Sequence, residues 1–112
     1  MAAELNGYPG PSHALELADK LELSADQRSR IEALFVSMKA EAQPLGSRLI
    51  AQETELDRLF ASRSITPATL KASTAAIATT QGELRETHLK YHLSTADILS
   101  ASRMQKYAEL SG

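Results

Sequence analysis

The chain has 112 residues, 43% of them apolar and 23% charged, with a formal charge of −2 and no cysteine. That length makes one domain, the apolar share is too high for a disordered chain, and the missing cysteines remove disulfides, thiolate nucleophiles and thiolate metal sites together. With three Tyr, two Phe and no Trp, and with Lys and Arg scattered among Asp and Glu, neither a base-stacking platform nor a duplex-binding footprint is expected, so nucleic acid is not a partner.

Met1 to Pro11 contains Asn6-Gly7 and Pro9-Gly10-Pro11. These are breaker signals, so residues 1–11 read as an irregular lead-in and residues 12–112 as one helical domain. The lead-in has neither a charged n-region nor an apolar h-region, and no signal peptide is read in it. Nowhere do about 18 apolar residues run together, so no membrane-embedded segment is expected. Ser12 is placed to cap a short first helix whose apolar face is Ala14, Leu15, Leu17, Ala18 and Leu21.

Ser24 and Gln27 stand three apart, the spacing of a capping box, and Asp26 suits the positive end of a helix. A second helix is expected from Ala25 to Ala61, with a kink at Pro44 and a weak turn at Gly46. Ser62 to Thr66 reads as a turn. Thr66 caps a third helix, Pro67 occupies its first position, and the helix runs to Ile98. Ser100 caps a short fourth helix carrying Met104, Tyr107 and Ala108.

The long helices share a 3–4 apolar rhythm. One reads Ile31, Phe35, Met38, Ala42, Leu45, Leu49, Gln52, Leu56, Leu59, and the other Leu70, Thr74, Ile77, Gln81, Leu84, His88, Tyr91, Thr95, Ile98. Two such faces joined by a short turn make an antiparallel hairpin. The fold class is therefore all-α: a hooked four-helix hairpin with two long antiparallel helices. Folding the chain at the turn pairs Leu45 with Leu84, Ala42 with His88 and Ile31 with Ile98. Gly82 then lies near Gly46, which raises the question of a hinge with Pro44. A two-helix arm buries little, so further helices, a homodimer, or both are expected. Glu86 with Lys90, and Arg28 with Glu32, have the spacing of surface ion pairs.

Leu23-Ser24-Ala25-Asp26-Gln27 resembles the Leu-Thr-x-x-Gln motif of the Spy/CpxP family of periplasmic proteins. A second copy is expected after the hairpin. Leu99-Ser100-Ala101-Ser102-Arg103 stands there, with Arg103 where the family has Gln. The resemblance covers His13 to Leu110. It implies a hooked hairpin that often dimerises into a cradle, export to the periplasm, and work as an ATP-independent chaperone, a stress-signalling adaptor or a metal-responsive sensor. In the motif itself, Leu23, Ser24, Gln27, Leu99 and Ser100 have a structural role, because hydroxyl and amide satisfy free backbone donors at a helix start. With Arg103 in place of Gln, the cap of the fourth helix is expected to loosen.

The histidines are the chemical candidates. His88 and His92 stand one helical turn apart, a spacing at which two imidazoles share one metal. The pairing brings Met38 and Glu41 to their level, and His13 reaches the same end of the hairpin. Such a set suits zinc, copper or nickel. It resembles in part the nickel/cobalt sensor branch of the wider family, but Leu17 and Phe35 stand where that branch has His and Glu. The alternative is that His88 is a seam residue with a structural role. No cofactor is required. No nucleophile, base and oxyanion donor come together in the sequence, so an enzyme is not expected. Two readings stand: a cradle that binds unfolded client proteins or a membrane stress sensor, and a heavy-metal sensor or resistance protein using His88 and His92.

Overall fold

The computed structural model describes residue 3 and residues 7–111. Among the described residues, these helices follow one another: α1 (Pro11–Glu16), α2 (Ala25–Ala61), α3 (Pro67–Ile98) and α4 (Ala101–Ser111). Among the described residues there is no strand. The long helices pack against each other as an antiparallel hairpin, and α1 lies across its open end. The molecule measures 57 × 25 × 18 Å, with a radius of gyration of 18.5 Å. A compact chain of this length would have about 13 Å, so this is a rod. Its long axis is α2 itself, which at about 1.5 Å per residue spans about 56 Å.

Local chemistry sets the boundaries. The Gln27 backbone N–H donates to Ser24 Oγ at 3.1 Å, and Ser24 N–H donates to Gln27 Oε1 at 3.0 Å. Thr66 and Thr69 repeat this reciprocal cap at the start of α3, with Pro67 in the first turn. Two connections close as Schellman motifs on residues in the left-handed region, Glu22 (φ 57°) and Arg63 (φ 58°). In the hairpin turn Arg63 N–H bonds the Phe60 carbonyl and Ser64 N–H the Leu59 carbonyl; before α2, Glu22 and Leu23 bond Asp19 and Ala18 in the same way.

α1 is shorter than the sequence indicates. It starts after Gly10 with Pro11 in its first turn, so Ser12 does not cap it, and it ends at Glu16. Residues 17–22 are turns that bury Ala18 and Leu21. α2 runs unbroken through Pro44 and Gly46. Pro44 and Ala40 both face solvent, so water can satisfy the carbonyl that the proline leaves unpaired.

The seam differs from the apolar rhythm on one side. α2 contributes Leu45, Leu49, Leu56 and Leu59, half-buried as expected. On α3, however, Leu70, Thr74 and Gln81 are exposed, and Thr80 and Thr87 are buried instead. Bulky leucines on α2 leave room for small β-branched residues opposite, and a seam threonine can return its hydroxyl to its own helix. Thr95 does so, donating to the Tyr91 carbonyl at 2.7 Å. The register is the expected one: Arg48 meets Glu83 at 3.4 Å and Glu41 meets Lys90 at 2.8 Å across the seam. Of the two surface pairs read from spacing, Lys90 bonds Glu41 across the seam and keeps Glu86 as a weaker electrostatic neighbour, and Arg28 turns to Asp19.

Burial is uneven along the rod. Ala14, Ala18, Leu21, Ile31, Tyr91, Leu99 and Tyr107 are buried at the hooked end, whereas Ile77 is the buried apolar side chain of the outer arm among the described residues. Arg63 carries the cost of a left-handed backbone without glycine's freedom, about 1–2 kcal/mol for a residue with a Cβ. Glycine's larger chain entropy cancels part of the gain. Arg63→Gly should therefore raise stability by about 0.5–1 kcal/mol, read as a higher urea midpoint at unchanged slope; a lower midpoint would contradict this account of the turn.

Candidate functional site

The motif residues gather at the hooked end. Leu99 is buried with Ala14 and Ile31, and Leu23, Leu15, Ile98 and Met104 pack around them. Gln27 does more than cap α2. While its Oε1 holds the Ser24 N–H, its Nε2 donates to the Ile98 carbonyl at 3.1 Å, tying the start of α2 to the end of α3. Arg103 plays the matching part in the second copy. Its backbone N–H donates to Ser100 Oγ at 3.3 Å, so the hydroxyl caps α4. Its guanidinium reaches the Leu21 carbonyl at 3.1 Å and the Glu22 carbonyl at 2.8 Å. The expected loosening of α4 is thus offset by a longer side chain: Arg103 exchanges the amide's reciprocal cap for charge-assisted bonds to the left-handed Glu22 turn.

Of the lead-in, residues 1, 2 and 4–6 lie outside the described residues, and residues 7–10 pack against α3 and α4. Gly7 (φ 79°) lies against α4, where a Cβ would come within 3.3 Å of Ala108 Cβ. A Cβ on Gly10 would meet the His92 ring at 3.1 Å. His92 is buried, and its Nδ1 lies 2.7 Å from the Tyr8 carbonyl. Sequence reasoning missed this contact because nothing local in Pro9-Gly10-Pro11 indicates a partner 84 residues away.

The proposed metal ligands are dispersed. His88 and His92 are one turn apart on α3, but His92 commits Nδ1 to Tyr8 and packs Nε2 beneath Gly10. Glu41 accepts from Lys90 Nζ at 2.8 Å and from the Tyr91 hydroxyl. His13 is exposed, with Nδ1 3.4 Å from the Tyr107 hydroxyl. Met38 is half-buried on α2. Among the described residues no three His, Cys, Asp or Glu side chains come together to hold a metal ion. The His and Glu members of the set drawn from the sequence thus do not form a three-ligand cluster among the described residues.

Glu41 is a lock instead. Its bonds from Lys90 and Tyr91 hold its carboxyl below the ordinary glutamate value of 4.5. They join α2 to α3 where the hook meets the arm.

The arm offers surface. Val36 (66% exposed), Ile50 (68%) and Phe60 (54%) project from α2. Between α2 and α3 a shallow cleft of about 380 Å³ is lined by Ala51, Gln52, Ala72, Ser73 and Ala76, with Arg48 and Glu55 at its rim. Gln52 Oε1 is buried there without a hydrogen-bond partner in the described structure. On the outer side of α3 an open, almost wholly apolar groove of about 730 Å³ runs past Gly82, Leu89 and Leu93, with Tyr8 beside it. No helix is long and apolar enough to cross a membrane among the described residues.

A family model described as heavy-metal resistance matches residues 5–106, and that family falls in the Spy/CpxP-like helical clan. No curated protein and no solved structure matches the chain.

Two measurements follow from this geometry. Arg103→Ala should destabilise the fold by about 1–2 kcal/mol, the lower part of the range for hydrogen bonds to a charged group because the site is half-exposed, and should speed amide exchange in α4 before α3. Equal speeding of both helices would mean that Arg103 does not act as the clasp. For Glu41 the folded value is depressed, so its stabilisation is present above pH 4.5 and lost as pH falls through the lower folded value. Acid titration of Glu41→Gln should lack that component; a variant with the parent's acid profile would exclude the lock.

Proposed function

The chain belongs to the heavy-metal resistance family, and from that premise we infer that it is an envelope protein that binds other proteins along its helical arm. The carrying observation is the arm itself. It is one layer of two helices with a half-buried seam, and it exposes Ile50 and Phe60 between charged residues. Large apolar side chains interspersed with charge suit loosely specific contact with unfolded segments. The hooked end, clasped by Gln27 and Arg103, holds the arm in place. Binding needs no nucleotide, and no catalytic step is assigned to the protein. Its place is the periplasm, where members of the Spy/CpxP type act as chaperones or as adaptors for membrane stress sensors.

A second reading rests on His88 and His92, one turn apart on α3. They would bind zinc, copper or nickel only if His92 gave up its bond to Tyr8, which would free the lead-in. Metal would then act as a signal rather than as a resident cofactor.

Light scattering from an aggregating client tests both. In chelator and without ATP, the chain should suppress aggregation at a few-fold molar excess. The double variant Ile50→Lys, Phe60→Lys should lose most of that suppression while keeping its helix content, because both side chains are exposed. Suppression that appears only with zinc, and disappears in His88→Ala, His92→Ala, would favour the second reading. Unchanged aggregation in every condition would reject client binding.

A further inference from the structure

The open groove on the outer side of α3 measures about 730 Å³, inside the range of about 300–1,000 Å³ over which proteins hold small organic ligands. Its surface is almost wholly apolar. With about 100° between successive residues, Gly82, Leu89 and Leu93 share one stripe and form the floor. Ile77, Thr80, Leu84 and Tyr91, which face α2, lie on the opposite side of the helix. Tyr8 makes a wall beside the Leu93 end, where its carbonyl is held 2.7 Å from Nδ1 of His92. Leu93 is 62% exposed and Leu89 half-buried, so the chain's own packing leaves part of this floor open to water.

Charge is confined to the edges. Arg85 stands on one edge near Gly82, exposed and with no ion-pair partner among the described residues. Glu86 stands on the other edge and has Lys90, one turn on, as an electrostatic neighbour. Lys90 is itself paired with Glu41 at 2.8 Å. The charge of Glu86 is therefore partly met and that of Arg85 is not. Gly82 has no reason within the chain to be glycine: a Cβ added there meets nothing within 4 Å, and glycine is the poorest helix former after proline. Its smallness leaves a notch beside the free guanidinium.

We propose that this groove binds a single-chain amphiphile with an anionic head, in the simplest case a fatty carboxylate. The carboxylate accepts from Arg85 over the notch at Gly82, because a guanidinium fork meets two oxygens at once. The tail runs along Leu89 and Leu93, past the Tyr8 wall. From Arg85 to Leu93 the helix rises about 12 Å, which accommodates about ten carbons. A single furrow holds one chain, so a two-chain lipid would leave its second chain in water. A bilayer surface pressed on the groove would bury Arg85, Glu86 and Lys90 with it. The ligand is thus the free amphiphile. The site lies on α3, away from Ile50 and Phe60 on α2, so it does not rest on the client-binding reading.

Calorimetry of the whole chain with dodecanoate, kept below its micelle concentration, tests the proposal. One molecule should bind per chain. Octanoate should bind at least about tenfold more weakly, since four methylenes leave the apolar floor. Dodecyltrimethylammonium, with the same tail and the opposite charge, should also bind at least about tenfold more weakly, and Arg85→Glu should weaken dodecanoate to the same extent. Glu86→Gln should tighten dodecanoate by about two- to fivefold, because a nearby like charge is removed. Leu93→Asp and Gly82→Leu, both open to solvent within the chain, should each lose most of the binding while keeping helix content. No binding of dodecanoate would overturn the proposal, as would equal binding of the cationic amphiphile or binding unchanged by Arg85→Glu. Uptake that begins only above the micelle concentration would also overturn it, because an assembled lipid surface would then be the ligand. The readout contains no client, so its failure is distinguishable from failure of the aggregation assay.

Discussion

Two helices lying side by side can bury one stripe of each and nothing more. A hairpin built on that contact stays long and thin unless other elements cover it, and here they cover one end. α1, the turns after it, residues 7–10 and α4 gather around the open end of the hairpin, and the buried apolar side chains gather with them. The far end has Ile77 and a row of half-buried leucines against threonines. Stability is therefore concentrated at the hook and surface at the arm. That division fits a protein that grips other chains better than one that encloses a small ligand.

What holds the hook is a pair of equivalent clasps. Each motif copy puts a leucine into the shared core and a serine at a helix start. The fifth residue of each copy reaches a carbonyl on another element: Gln27 to Ile98, and Arg103 to Leu21 and Glu22. The replacement of glutamine by arginine in the second copy alters the chemistry and keeps the function of a clasp. Glu41 adds a third fastening between α2 and α3 through Lys90 and Tyr91. Glu41, which looked like a metal donor in the sequence, is used here to fasten α2 to α3, and His92 is used to hold Tyr8.

Local signals were legible and distant ones were not. Ser24 with Gln27, and Thr66 with Pro67, announce the starts of α2 and α3, because a cap and its partner lie three residues apart or fewer. The seam on α2 followed its leucines. The seam on α3 did not follow its apolar letters, since Thr80 and Thr87 bury a methyl that periodicity counts as polar, and the leucines opposite require small neighbours. Arg103, 81 residues from Glu22, could not be read as a clasp, and in isolation it looked like a lost cap. Gly7 and Gly10 read as breakers, whereas they are close-packed against Ala108 and His92. His88 and His92 showed the right spacing for a metal, but spacing on one helix says nothing about the third donor.

One molecule thus has two stabilities, a fastened hook and a thin arm. Residue-resolved hydrogen exchange on the dilute protein measures that directly, because protected amides report the free energy of local opening. Slow exchange should cover the inner halves of α2 and α3, around Ile31 and Tyr91 to Thr95, while amides near Leu56 and Lys71 exchange faster by an order of magnitude or more. Uniform protection along both long helices would contradict it, and would mean that the hairpin opens as one unit and that the arm is no weaker than the hook.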